Sequence, residues 1–353
     1  MSMKQENRQG KLSIESENIF PVIKKWLYTE QDIFYRELIS NASDAVQKLK
    51  KLIRMGECGD TLLARIDIRV NPQEKTVKFI DNGIGMTAEE VEQYINRIAF
   101  SGAEDFVQKY KGKTSDDQII GHFGLGFYSA FMEAQRVTIS TLSYKEGSES
   151  VFWDCDGNMQ YHMSVGTRTN RGTEITLYLN DNSKFAAPSV AEQTIRKYFE
   201  SLPIEIHLSD DGETVEQEGK TYIPMQEKQI NNPCPLWTKK PEYCTAEEYI
   251  EFYQKAFHDL TKPAYWIHLF DETLGIKGII YFKSEETMNR SVEGLVRLYS
   301  NQVFVADNVK EIIPDFLLLQ YGVLDCADLP LMVSRSSLHA DKRIQQIETY
   351  ITE

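Results

Sequence analysis

Cysteine is scarce in this 353-residue sequence, and its five members, Cys58, Cys155, Cys234, Cys244 and Cys326, show no C-x-x-C spacing. An odd, scattered set argues against a disulfide framework or a zinc site, and leaves reduced thiols as the expectation. Long apolar runs are also missing: no stretch of about 18 apolar residues occurs, so no membrane partner is expected. Positive charge is in deficit, with 39 Lys and Arg against 53 Asp and Glu, a net charge of −14. Such a surface repels phosphate backbones and disfavours a nucleic-acid partner. It leaves room for a nucleotide, which needs only local donors and a metal ion. Residues 1–10 are polar and lack the apolar centre of a secretion signal, so the expected compartment is cytoplasmic. Histidine is absent before His122. What is present is ordinary: 41% hydrophobic and 26% charged residues set aside disorder, and the length suits about two domains.

Local signals give an α+β first domain. Thr29-Glu30-Gln31-Asp32 has the form of a capping box that opens a long helix, and Gly56 suits its stop. The alternating segments Arg65 to Val70 and Thr76 to Ile80, joined through Asn71-Pro72, read as a hairpin. The second strand runs into Asp81-Asn82-Gly83-Ile84-Gly85-Met86, after which Thr87-Ala88-Glu89-Glu90 opens another helix. A glycine-rich turn over 121–126 precedes an apolar helical run, and strands are expected at Arg136 to Leu142 and Glu174 to Leu179. Further on come a capped helix from Thr245, a strand around Leu298 to Val305 and a helix near Lys310 to Leu319. Polar sequence after Leu208 and again at Gln226 to Pro235 marks a linker, with a long surface hairpin as the alternative. The chain then divides into residues 1–208, a linker at 209–233, and residues 234–353.

On a helical wheel, Phe34, Leu38, Ala42, Ala45, Leu49 and Leu52 form one broad face. Arg36, Ser40, Ser43, Gln47, Lys50 and Arg54 form the opposite face, expected to be solvated. Glu37, Asn41, Asp44 and Lys48 stack in a stripe between them. Taken alone the stripe reads as flank pairs of small energetic value. The functional reading is that it lines a site: an Asn oxygen can help hold Mg²⁺ on phosphates, and Glu one turn earlier can orient or deprotonate a water.

Two more elements carry chemistry. In Asp81-Asn82-Gly83-Ile84-Gly85 the glycines let backbone approach a flat ligand, and a strand-end Asp can accept from an exocyclic amine. An Asn-Gly hairpin turn is the alternative, weakened because a helix follows. Gly121-His122-Phe123-Gly124-Leu125-Gly126-Phe127 can form a nest of N–H groups for phosphate, or a lid hinge. It is not a Walker loop, since no Gly-Lys-Ser/Thr follows.

The three elements together, Glu-x-x-x-Asn-x-x-Asp, Asp-x-Gly-x-Gly and Gly-x-x-Gly-x-Gly, resemble the gyrase, histidine-kinase and mismatch-repair ATPase superfamily. Longer stretches narrow the resemblance to the heat-shock protein 90 family: Phe34-Tyr-Arg-Glu-Leu-Ile-Ser-Asn-Ala-Ser-Asp-Ala, Asp81 to Thr87 and Gly121 to Ala130. Pro235-Leu-Trp-Thr, Glu247 to Tyr253, Val303 to Asp307 and Asp328 to Arg335 resemble that family's middle domain. The resemblance implies a Bergerat-type α/β sandwich, with a mixed sheet and helices on one face, followed by an α/β middle domain. It implies an ATP-dependent, slowly hydrolysing chaperone of the stress response, with ATP/ADP and Mg²⁺ as cofactors and unfolded client proteins as partners. It assigns Glu37 as general base, Asn41 as Mg²⁺ ligand and Asp81 as acceptor for the adenine amine. Asp44, Lys48, Gly85, Met86 and Thr173 line the base and its waters, Gly121, Phe123, Gly124, Gly126 and Phe127 the phosphates, and Arg335 reaches the γ-phosphate. The family dimerises through a further C-terminal domain, so the full-length protein is expected as a homodimer and this chain as a monomer or weak dimer.

Departures fall around the lid. Tyr94 and Phe100 replace a ligand Asn and Lys, Asn96 or Arg97 being substitutes, and Ser336 and His339 replace a Glu and Gln. A DNA-linked ATPase is disfavoured by the acidic balance, and a histidine kinase by the missing early phosphoacceptor. An ATP-binding module without turnover stays open.

Overall fold

The computed structural model describes residues 30–59, 64–97, 126–156, 160–217, 220–283, 294–309, 312, 320–327, 329 and 342–352. The long helix, α1, runs Ile33–Arg54. Its end is a Schellman motif: Gly56 takes φ +72°, its N–H bonds Ile53 O at 3.0 Å, and Glu57 N–H bonds Leu52 O at 2.9 Å. Its start differs from the expected capping box. Thr29 lies outside the described residues, and the cap residue Asp32 makes no side-chain bond to the helix. The Asp32 carboxylate instead accepts from Lys197 Nζ at 3.0 Å and Tyr198 Oη at 2.9 Å, which ties the helix entry to a distant element.

The expected solvated face of α1 is also corrected: Arg36, Ser40 and Ser43 are buried. The helix lies on a sheet and is covered besides by the 3-10 turn Gly126–Met132 and by α3, Pro188–Phe199. The Arg36 guanidinium sits 5.5 Å from the Tyr198 ring centre, a cation–π contact that a wheel cannot foresee. Of the α1 residues only Arg54, at the C-terminus, is exposed, and Asn41, Ala45, Gln47, Lys48, Lys50 and Ile53 are half-buried. Each fully buried Phe or Leu side chain here contributes roughly 1.5–3 kcal/mol. Phe34, Leu38, Leu49 and Leu52 all qualify.

The sheet below α1 has eight strands in the order β10-β7-β1-β2-β6-β3-β4-β5. The expected hairpin is β1 Arg65–Asn71 and β2 Thr76–Asp81, turned where Asn71 Oδ1 accepts from the N–H groups of Gln73 and Glu74, each at 3.0 Å. The expected strands are β3 Ala134–Leu142 and β6 Gly172–Leu179. Between them come β4 Val151–Asp156 and β5 Tyr161–Val165. β4 alternates in burial, whereas the edge strand β5 is exposed except at Met163, which is half-buried against the core. β7 Glu205–Asp210 lies parallel to β1 while its other neighbour runs antiparallel, so the sheet is mixed. In the polar stretch read as linker or hairpin, β8 Val215–Gln217 and β9 Lys220–Tyr222 pair, and β10 Lys228–Gln229 joins the sheet edge. The helix α2, Ala88–Tyr94, opens with the expected box: Glu90 N donates to Thr87 Oγ1 and Thr87 N to Glu90 Oε2.

Beyond it, α4 Ala246–Phe257 carries the capping box read at Thr245. A second sheet orders β11 Tyr265–Asp271, β12 Ile276–Phe282, β15 Tyr321–Cys326, β13 Leu295–Ser300 and β14 Val303–Asp307 as β11-β12-β15-β13-β14. Ile276, Ile280, Leu298 and Leu324 pack with Ile344 and Ile347 of α5, Lys342–Thr352. Ile279, Tyr281, Tyr299 and Val323 pack with Trp237, Tyr249, Tyr253 and Phe257. The alternation between two apolar clusters is the period of strands buried on both faces. The single strand expected over Leu298 to Val305 is in fact two, broken at Asn301-Gln302, which take φ +51° and +63°. Asn tolerates that conformation but Gln rarely does, so composition alone did not signal the turn. The helix expected near Lys310 to Leu319 lies largely outside the described residues.

Candidate functional site

The site is built where β2 ends against α1. Asp81 is the last residue of β2, paired in register with Thr173 of β6. Its Oδ1 accepts from Gly83 N–H at 2.8 Å, which folds the chain back at once. The turn then lies on α1: a Cβ at Gly83 would meet the Ala45 carbonyl carbon at 2.4 Å, and Ile84 N–H donates to Ala45 O at 3.2 Å. Gly85 has φ +60° and would place a Cβ 1.9 Å from Leu142 O. Both glycines are therefore required by close backbone approach. Met86 N–H donates to Thr141 Oγ1 at 3.0 Å, and Thr141 Oγ1 shares a hydrogen bond with Thr173 Oγ1 at 2.9 Å. Asp81, Gly85, Met86 and Thr173, expected at one site, are thus brought together.

Burial pushes the Asp81 carboxyl up to about 7, against the opposing pull of the Gly83 N–H, the Arg168 charge and the Thr173 N–H. A buried carboxylate poised near neutrality at a strand end marks a candidate functional group.

The start of the stripe lies eight positions before Ala45 on α1, about 12 Å of helix rise. There Glu37 is 3% exposed and packs on the 3-10 turn. A Cβ at Gly126 would fall 2.4 Å from Glu37 Oε2, so the turn lies directly against the carboxylate. Arg36 Nε stands 3.6 Å from Glu37 Oε1. The run from Gly126, expected to be helical, is a 3-10 turn, with Phe127 buried beside Trp153. Asp44 is buried and Asn41 half-buried between the two ends, and Lys48, also half-buried, lies just beyond Ala45.

Asn96, expected as a substitute ligand near the lid, is tied to β4. Its Oδ1 accepts from Trp153 Nε1 of β4 at 2.9 Å, while its Nδ2 is buried with no acceptor among the described residues. Gly121, Phe123, Gly124 and Arg335 lie outside the described residues. No group of three or more His, Cys, Asp or Glu that could hold a metal occurs among the described residues. Asn41, a single neutral oxygen donor, suits a Mg²⁺ that keeps most of its ligands from phosphate and water.

Sequence reasoning missed three contributors. Thr141 bridges β6 and the Gly85-Met86 backbone, but its partner is fixed only by strand pairing. Arg168 and Arg171 reach the Asp81–Gly83 turn from the loop before β6, more than 80 positions away in sequence.

Residues 34–180 match the family model described as histidine kinase-, DNA gyrase B- and HSP90-like ATPase. Residues 174–353, half the chain, match the model of the Hsp90 protein family. The chain belongs to the Hsp90 family. Among Hsp90 relatives, it is 44% identical over 355 residues to the chaperone protein HtpG of Bacteroides fragilis, which covers 98% of this chain and 50% of that protein. Identity to HtpG of Porphyromonas gingivalis is 43%, covering 98% and 51%, and to HtpG of Bdellovibrio bacteriovorus 35%, covering 96% and 54%. The chain spans about half the length of these Hsp90 proteins. Its first part is the ATPase-type domain that the sequence motifs suggested, and the mixed sheet under α1 is that domain's scaffold. No helix among the described residues is long and apolar enough to cross a membrane.

Proposed function

We propose that this chain binds ATP with Mg²⁺ and hydrolyses it slowly, within an Hsp90 chaperone that cycles between conformations on unfolded or partly folded clients during stress. The observation that carries the reading is the one helix that packs the Asp81 turn at Ala45 and the Gly126 turn at Glu37. A nucleotide laid along that helix has a carboxylate at each end, one for the base and one for the reacting phosphate.

In this reading Asp81 accepts from the adenine amine. Asp44, Lys48, Gly85, Met86 and Thr173 surround the base and its waters. Gly121, Phe123, Gly124, Gly126 and Phe127 hold the phosphates through backbone N–H groups, and the Asn96 amide serves as a further donor. Asn41 would hold Mg²⁺, which when bound neutralises charge between the phosphates. Glu37 takes the proton of the attacking water, and its burial beside Arg36 keeps bulk solvent from competing. Arg335 meets the charge developing on the transferred phosphoryl group. We place the ATP-binding domain at 1–208, a linker at 209–233 and part of the middle domain at 234–353. The whole protein works as a cytoplasmic homodimer without nucleic acid or membrane.

Calorimetry with ATP in the presence and absence of Mg²⁺, followed by phosphate release, tests the reading. Mg²⁺-dependent ATP binding with slow turnover supports it. Absence of ATP binding at millimolar nucleotide, or turnover that requires added DNA, overturns it.

A further inference from the structure

The turn that carries Asp81 is held from outside as well as from within. Three successive carbonyls, those of Asp81, Asn82 and Gly83, each accept from a guanidinium. Arg171 Nε donates to Gly83 O at 3.1 Å and Arg171 Nη2 to Asn82 O at 3.3 Å. Arg168 Nη2 reaches Asp81 O at 3.4 Å. Both arginines come from one loop, and the loop is itself fixed. Arg168 N–H donates to Ser150 Oγ at 3.0 Å, Arg168 Nε to Asn170 O at 3.0 Å, and Gly166 N–H to Ser150 O at 2.7 Å. Arg168 Nη1 also stands 3.8 Å from Glu174 Oε2. Gly172 fits so closely that a Cβ there would lie 2.1 Å from Asp81 O. On the other side, Asn82 Oδ1 accepts from Arg65 N–H at 3.3 Å.

These bonds have a common consequence. The carboxylate is internally tied to Gly83 N–H, so its direction follows the main chain of the turn. That main chain leaves the sheet after Asp81, beyond which strand pairing no longer fixes it. A guanidinium is a rigid planar fork, and Arg171 spans two adjacent carbonyls with it. The planes of the Asn82 and Gly83 peptides are thereby set, and the carboxylate with them.

We propose that Arg171, with Arg168 behind it, is a positioning residue for base recognition: it fixes the Asp81–Gly83 turn so that the carboxylate meets an exocyclic amine and discriminates against a carbonyl in the same place. This rests on the reading that Asp81 receives the nucleotide base. Arg171 touches no ligand; it acts through the turn. Losing the fork frees the carboxylate to rotate. ATP then loses a directed hydrogen bond, whereas inosine triphosphate, which carries a carbonyl where ATP has its amine, has none to lose.

The test is calorimetric titration of the full chain with Mg²⁺ and either ATP or inosine triphosphate, for wild type, Arg171→Met and Arg171→Lys. In wild type ATP binds more tightly than inosine triphosphate. Arg171→Met lowers ATP affinity about tenfold, the worth of one charge-assisted bond, and leaves inosine triphosphate unmoved, so the ratio collapses. Arg171→Lys keeps the charge but reaches one carbonyl at a time, and the ratio narrows without vanishing. Equal losses for both nucleotides, or an unchanged ratio, overturn the positioning role while the base reading stands. A wild type that does not distinguish the two nucleotides overturns the base reading itself. Should Arg171→Met lack a cooperative melt, Arg171→Lys decides: a narrowed ratio supports the role and an unchanged ratio removes it.

Discussion

Asp81 and Asp325 are the same chemical group in nearly the same place on two different sheets. Each is a buried aspartate near the end of a strand, 7% and 6% exposed. Each holds backbone N–H groups of a tight turn. Burial pushes the first up to about 7 and the second up to about 6. Their surroundings separate them. Asp81 binds a turn whose glycines bring bare backbone against α1 and β3. Asp325 binds the Asn301-Gln302 turn of the β13–β14 hairpin, its Oδ1 and Oδ2 lying 3.1 and 3.2 Å from Gln302 N. That turn is filled by side chains: Gln302 Nε2 donates to Ser201 O at 2.7 Å, and Val303 belongs to the core of the first sheet. One aspartate ends in a turn shaped for close approach, the other in a seam between two packed units. A raised carboxyl is therefore no site by itself; what surrounds the turn decides.

The site half of this comparison is broken most severely at Glu37. Glu37→Ala is expected to keep ATP binding and to lose hydrolysis by about 10²- to 10⁴-fold, the usual worth of a general base. Phosphate release alongside calorimetry checks it, and undiminished turnover would remove Glu37 from that role. Next is Asp81→Asn, which keeps the shape but exchanges an acceptor for a donor. Loss of the charge-assisted bond costs about 1.5–3 kcal/mol of ATP affinity, roughly 10- to 150-fold. Equal affinity in both chains would sink the assignment.

The seam half answers in the opposite currency. Asp325→Ala leaves the turn donors without their acceptor and is expected to lower stability by about 1–3 kcal/mol in urea denaturation. Nucleotide affinity should not change, since Asp325 lies outside the site. A variant as stable as wild type, or one that binds ATP poorly, would erase the distinction drawn here.

Proton linkage gives the smallest and sharpest separation. A carboxyl whose folded pKa is raised binds its proton more tightly in the folded chain, so its contribution is fully present below the unfolded value, near 3.8. It declines as pH rises, to about 6 for Asp325 and about 7 for Asp81. ATP binding has the reverse sign, because the amine needs an ionised acceptor: affinity should fall as pH drops below about 7, by up to about tenfold per pH unit. Asp81→Asn should flatten the affinity profile and part of the stability slope, and Asp325→Asn only the stability slope. Melting curves and calorimetry between pH 5 and pH 8 test this; an affinity profile unmoved by Asp81→Asn would refute it.

Much of this was legible before any fold was known, wherever the determining physics is local. Capping boxes at Thr87 and Thr245, the Gly56 stop and the Asn71 hairpin each depend on a few neighbouring residues, and each stands where the spacing placed it. The stripe on α1 and the Asp81 glycines were legible too, because a helix period and a glycine requirement are written in the sequence. The buried Arg36, Ser40 and Ser43 were not, since the wheel gives a helix two faces and says nothing of a third element closing over it. The Asn301-Gln302 turn was hidden because Gln has no local preference for positive φ; tertiary bonds from Asp325 hold it there.

The sequence by itself therefore determined the elements, the order of the motifs and the chemical types available: a Glu and an Asn one turn apart, an Asp before two glycines, a glycine ahead of an apolar run. Tertiary structure alone decided which of them meet. Strand pairing set Thr141 beside Thr173, and α1 set Glu37 against Gly126 and Ala45 against Gly83. A loop before β6 set Arg168 and Arg171 on the Asp81 turn. The physical reason is range. Capping, turn and helix-period effects act over about one helical turn and are written locally. Burial, and with it the shifted carboxyl of Asp81, is the sum of everything packed around a group, and most of that comes from positions remote in the chain.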